Sequence, residues 1–130
     1  MTAHYVEVGF VSADPSLVRF IADVFELEEL AVIDSPIGTV TKLRGPGDAV
    51  LKVFVPTERP QRTARRDPFY GVTGLRFVTI RVDDLDGVIE RASARGGKVA
   101  SAPRAVGPGI RLAFLEDPDG NTYEVSESSA

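Results

Sequence analysis

The chain has 130 residues, 43% of them hydrophobic and 26% charged, which is enough for one domain with a buried core and argues against disorder. A net charge of -4 speaks against nucleic acid, whose binding rests on cationic contacts to phosphate. The absence of cysteine removes disulfides, thiolate metal sites and cysteine nucleophiles, and no apolar run approaches the length of a membrane span.

In chain order, Tyr5 to Val11 reads as a strand. Asp14-Pro15 then reads as a helix start, because aspartate can cap free N–H groups and proline suits the first helical turn. Leu17, Val18, Ile21, Val24 and Phe25 follow at helical spacing. Three β-prone stretches come next, near Ala31–Asp34, Gly38–Leu43 and Ala49–Val55, with a turn at Gly45-Pro46-Gly47. From Thr57 to Thr73 the chain is polar and irregular. Leu75 to Val82 then alternates as a strand, with Val78, Ile80 and Val82 on one face. Asp83-Asp84 opens a second helix carrying Val88, Ile89 and Ala92, and Gly96-Gly97 stops it, since glycine accepts the left-handed conformation past a helix end. Further β-prone stretches lie near Lys98–Ala102, Ile110–Leu115 and Thr122–Val125, separated by turns at Gly107-Pro108-Gly109 and Asp117-Pro118-Asp119-Gly120.

The order strand, helix, three strands therefore occurs twice, and the helix-opening residues Asp14 and Asp84 stand 70 positions apart. A duplicated module is the simplest account. The expected organisation is one α+β domain of two βαβββ modules, 4–56 and 74–126, joined by a linker, 57–73. Each sheet has a helix on one face; pairing the sheets as a half-barrel buries the others and encloses a cleft.

The second module reads Val82-Asp83-Asp84-Leu85-Asp86, a helix, Gly96-Gly97-Lys98-Val99, and then Leu112-Ala113-Phe114-Leu115-Glu116-Asp117-Pro118-Asp119-Gly120-Asn121-Thr122-Tyr123-Glu124-Val125. It resembles the C-terminal module of the glyoxalase / bleomycin-resistance / extradiol-dioxygenase (vicinal oxygen chelate) superfamily. The D-P-D-G-N-x-x-E ending is specific when it follows a V-D-D-L-D helix start at this distance. The first module matches through Val8-Gly9-Phe10-Val11-Ser12-Ala13-Asp14-Pro15, then Phe20 and Phe25-Glu26-Leu27.

In metal-dependent members of that superfamily, the resemblance implies four ligands converging on one divalent ion, one from the start of each module's first strand and one from each last strand. Here the second module's last strand offers Glu124, but its first strand offers Phe77, which cannot ligate. The first module's last strand offers Lys52, a cation. The remaining position is Val6 by one count and Glu7 by another. Glu7 leaves Val8 and Phe10 facing the helix, whereas Val6 would bury an unpaired carboxylate. On this reading no metal is expected, with Glu124, Glu7 and His4, the single histidine, as the weak fallback set for a divalent ion. The Lys52 ammonium is then expected near the place of the missing ion, within reach of Glu124 and Glu7.

Thr79 and Arg81 share the parity of Phe77 and are expected to line the cleft, as are Phe54 beside Lys52 and the linker aromatics Phe69 and Tyr70. Arg59, Arg62, Arg65 and Arg66 crowd that linker, either as a lid for an anionic ligand or as a solvated connection. The expected function is binding of a small organic molecule without a catalytic metal, by a cytoplasmic homodimer with no nucleic-acid or membrane partner. The alternative is a lyase, isomerase or dioxygenase with a degenerate site, using Glu7 or Glu124 as base.

Overall fold

The computed structural model describes residues 2–61 and 68–129. The chain divides into two compact units, Met1–Thr63 and Ala64–Ala130. Unit one runs β1 (Glu7–Val11), α1 (Ser16–Val24), β2 (Glu28–Ser35), β3 (Gly38–Arg44) and β4 (Val50–Pro56). Unit two repeats the order as β5 (Phe77–Arg81), α2 (Leu85–Ala94), β6 (Lys98–Gly107), β7 (Ile110–Glu116) and β8 (Thr122–Ser128).

The two sheets have the same topology, β1-β4-β3-β2 and β5-β8-β7-β6. In each, the first strand lies parallel to the last, as a strand followed by a crossover helix requires, and the remaining pairs are antiparallel. The fold is therefore α+β, with two similar modules.

Helix α1 buries Leu17, Val18, Phe20, Ile21, Ala22 and Val24 and packs on β4, meeting the sheet side that carries Leu43, Leu51 and Val53. Asp14 Oδ1 accepts from Ser16 N at 2.9 Å, so the aspartate holds the helix entrance. In α2 the capping is conventional: Asp84 Oδ1 accepts from Gly87 N at 3.0 Å. Glu127 Oε2 accepts from Leu85 N at 2.8 Å, and Arg111 ties Glu127 to Asp86 at 2.8 and 3.2 Å. Leu85, Val88 and Ala92 fill the core under α2 with Ala113, Leu115, Tyr123 and Val125.

The turn between β7 and β8 is wired through one carboxylate. Asp117, 3% exposed, accepts from Asp119 N and Asn121 N on Oδ1 at 2.9 and 3.0 Å. Its Oδ2 accepts from Asn121 Nδ2 at 2.9 Å and from the buried Tyr123 hydroxyl at 2.6 Å. Burial raises the Asp117 carboxyl above its ordinary 3.8, partly offset by those donors. Between β2 and β3, Gly38 has φ +148°, and a Cβ there would lie 2.4 Å from Val55 O and 2.5 Å from Phe54 Cε1. Only glycine fits that crossing.

Candidate functional site: the open sheet faces

Strand alternation sends Val8 and Phe10 toward α1, so Glu7 and Gly9 lie on the opposite, open face of unit one. Gly9 pairs with Lys52, and Lys52 with Lys42, which sets two lysines side by side on that face. Phe54 pairs with Val40 next to them. Glu7 Oε1 stands 3.2 Å from Lys52 Nζ and 3.4 Å from Lys42 Nζ, and Lys42 also reaches Oε2 at 3.5 Å. The side chain of Glu7 is 15% exposed, against 39% for Lys52 and 30% for Lys42. The adjacent Lys52 ammonium holds the Glu7 carboxyl below its ordinary 4.5; burial opposes this and Lys42 adds to it.

Unit two carries a different surface at the corresponding positions. Thr79 pairs with Glu124 as Gly9 pairs with Lys52, and two residues earlier Phe77 pairs with Thr122 as Glu7 pairs with Val50. The register thus makes Glu7 the counterpart of Phe77 in the duplicated module. Val6 lies before β1 and is 70% exposed. Phe69 stacks on Phe114 with centroids 4.6 Å apart, and meets Phe77 and Tyr70 edge-on, each at 5.3 Å. Beside this aromatic shelf, Thr79 Oγ1 donates to Glu124 Oε1 at 3.2 Å and Arg81 Nε donates to Ser126 Oγ at 2.9 Å.

Within unit one the structure brings Glu7 and Lys52 together with Phe54 close by; within unit two it brings together Phe69, Tyr70 and Phe77, and Thr79 with Glu124. His4 is exposed and precedes β1. Arg59 is exposed and adds to lowering the Asp14 carboxyl behind the bond from Ser16, while Arg62, Arg65 and Arg66 lie outside the described residues. Sequence reasoning missed Lys42 and Phe114. Both sit on the third strand of their module, directly opposite Lys52 and Glu124. The signal was parity counted back across the preceding turn, which needs the pairing register.

The family resemblance implies metal ligands at Lys52, Phe77, Glu124 and either Val6 or Glu7, of which Glu7 shares the strand register of Phe77. That set does not fit a divalent ion: a phenyl ring donates no lone pair, and the Lys52 ammonium already lies against the Glu7 carboxylate. Among the described residues, no group of three or more His, Cys, Asp or Glu could hold a metal.

A family model described as the Glyoxalase/Bleomycin resistance protein/Dioxygenase superfamily matches residues 8–125. The chain belongs to this superfamily. Like other glyoxalase-superfamily chains of known structure, it matches over nearly its whole length. A glyoxalase family protein of Bacillus cereus superposes with TM-score 0.80 at 15% identity, covering 100% of this chain and 99% of that one. A fosfomycin resistance protein of Mesorhizobium loti gives 0.68 at 19% identity, covering 96% and 91%. Glyoxalase I of Zea mays gives 0.76 at 20% identity, covering 96% of this chain and 47% of that one. At these identities the likeness shows the fold alone. A lactoylglutathione lyase of Arabidopsis thaliana is 39% identical over 54 residues, which are 41% of this glyoxalase-superfamily chain and 19% of that protein. A probable chloroplastic lactoylglutathione lyase of the same plant is 45% identical over 55 residues, 42% and 16% respectively. The match thus spans less than a fifth of either curated relative.

Proposed function

We propose that this protein binds a small organic molecule on its open sheet faces and does so without a catalytic metal. The observation that carries this is the side-chain chemistry at the four ligand positions: an ammonium paired to one carboxylate at 3.2 Å, and an aromatic ring built into a cluster of four. Such a surface offers apolar area and flat rings for stacking, with Glu124, Arg81 and the two lysines to fix orientation. The protein acts as a homodimer in the cytoplasm; a chain without cysteine suits a reducing compartment. Among the described residues no helix is long and apolar enough to cross a membrane.

The test pairs metal analysis with ligand screening. Purified protein is expected to carry no stoichiometric Ni, Zn, Fe or Mn, and chelator should leave its Tm unchanged. Neutral flat aromatic compounds are expected to raise Tm, by the equivalent of about 2.7 kcal/mol at a hundredfold excess over Kd. One tightly bound ion per chain would overturn the metal-free reading. The alternative, a lyase, isomerase or dioxygenase, draws on the partial match to proteins named lactoylglutathione lyase. Its base would be Glu124, held by Thr79. Turnover of a thiol conjugate that Glu124→Gln abolishes would establish it.

A further inference from the structure

The carboxylate of Glu7 is shared by two lysines. Lys42 and Lys52 both lie on its Oε1, at 3.4 and 3.2 Å, so the trio keeps one positive charge in excess in a chain whose net charge is -4. Neither ammonium is enclosed, and among the described residues neither has another acidic partner. Oε1 itself receives no well-directed hydrogen bond, and Lys42 commits one donor to Oε2 at 3.5 Å, so each ammonium, with three N–H groups, keeps at least two for a further acceptor. The strand beside Lys52 leaves room for that acceptor. Gly9 is exposed, and a Cβ at its position would already touch the Lys52 stem, at 3.6 Å from Cε and 3.8 Å from Cγ. Any larger side chain there would cover the lysine. Half-buried Val40, Val50 and Phe54 flank the trio, and apolar neighbours strengthen an ionic contact by reducing solvent screening.

We infer that Lys42 and Lys52 form an oxyanion clamp, with Glu7 as its internal counter-charge, and that the ligand is an acid whose carboxylate oxygens seat between the two ammoniums. The clamp takes over the electrostatic task that a metal ion performs elsewhere, holding ligand oxygens by tethered cations that need no loading. Two ammoniums on one oxygen stand close enough to grip a single oxyanion together, each through charge-assisted hydrogen bonds. Glu7 keeps the lysines from repelling one another while the face is empty and weakens the grip when it is full.

This deepens the small-molecule reading and rests on it. The probes are naphthalene-2-carboxylate and naphthalene-2-carboxamide, alike in shape and differing in charge, titrated calorimetrically into the full chain at low salt. The carboxylate is expected to bind about tenfold more tightly than the amide or better, as charge-assisted bonds over neutral ones allow. Lys52→Met should remove most of that preference. Glu7→Gln should widen it, by removing the competing anion, and a gain of affinity cannot come from misfolding. Equal binding of the two probes, or a preference that narrows in Glu7→Gln, overturns the clamp while leaving small-molecule binding in place. Failure of both probes overturns the clamp as well, and the small-molecule reading then stands or falls on the neutral aromatic panel.

Discussion

Two carboxylates show how differently the same group is used. Asp117 is buried and gathers four donors, so each of its bonds is hard to replace with water. Tyr123→Phe removes one donor from that buried acceptor and is expected to cost about 1–3 kcal/mol in urea unfolding followed by circular dichroism. A loss below a few tenths of a kcal/mol would mean that the turn is held by its backbone bonds alone. Glu7 behaves oppositely with pH. Its folded carboxyl is depressed below 4.5, so its stabilisation is complete above that value and is lost as the pH falls through the depressed range. Thermal melts from pH 7 to pH 3 should show the wild-type advantage over Glu7→Gln shrinking with acid. An advantage constant across that range would remove the ion trio from the account. Asp117 has the reverse sign, because burial raises its carboxyl: stability from that group declines as the pH rises above about 3.8.

The two helices end in the same way with different residues. Past α2 the left-handed position is Gly96, φ +83°, and Gly97 N donates to Ala92 O at 2.8 Å. Past α1 it is Glu26, φ 54°, and Leu27 N donates to Ala22 O at 2.9 Å. A side chain in that conformation costs about 1–2 kcal/mol. Glu26→Gly is therefore expected to stabilise the protein by about 1 kcal/mol and Gly96→Ala to destabilise it by a similar amount. Chemical denaturation of both variants checks this, and a destabilised Glu26→Gly would contradict it. Sequence patterns revealed all ten elements in order, because apolar periodicity and Gly/Pro turns marked each one. The bounds moved where pairing, not composition, decides them. β1 starts at Glu7 because β4 offers its first partner at Val50, leaving Tyr5 and Val6 exposed. β8 runs on to Ser128 because its polar end lies opposite Ile110, Arg111 and Leu112. β6 passes Pro103 through register shifts on an edge strand, where a missing N–H costs no ladder bond.

Across the molecule, duplication was visible in sequence because core positions repeat. The open faces were only partly visible, because each face uses its own chemistry and a cross-strand neighbour such as Lys42 or Phe114 appears only once the register is known. The edge strands β2 and β6 differ in charge as well. β2 is exposed along its length and carries Glu28, Glu29 and Asp34, while Lys98 and Arg104 stand exposed on β6. Exposed Leu30, Val32 and Ile33 on β2, and Val99 and Val106 on β6, add apolar area. A second copy offers each edge the opposite charge, and covering such edges is how sheet proteins avoid open-ended pairing. Sedimentation velocity is expected to give a dimer that loosens with added salt. A monomer at every concentration would count against it.

The Asp117 turn also shows how differently one hairpin position can be fastened in a duplicated chain. In unit one the matching bend at Gly45-Pro46-Gly47 closes with two backbone bonds, Gly45 N to Ala49 O at 2.9 Å and Ala49 N to Pro46 O at 3.1 Å, with no buried carboxylate among the hydrogen bonds that close it. Backbone closure tolerates many spellings, whereas a clasp built from Asp117, Asn121 and Tyr123 admits very few. Substitution at Asp117, Asn121 or Tyr123 is therefore expected to disturb its hairpin more than substitution at Pro46 or Asp48 disturbs the other. The same hairpin position is thus fastened by side chains in one unit and by the backbone alone in the other.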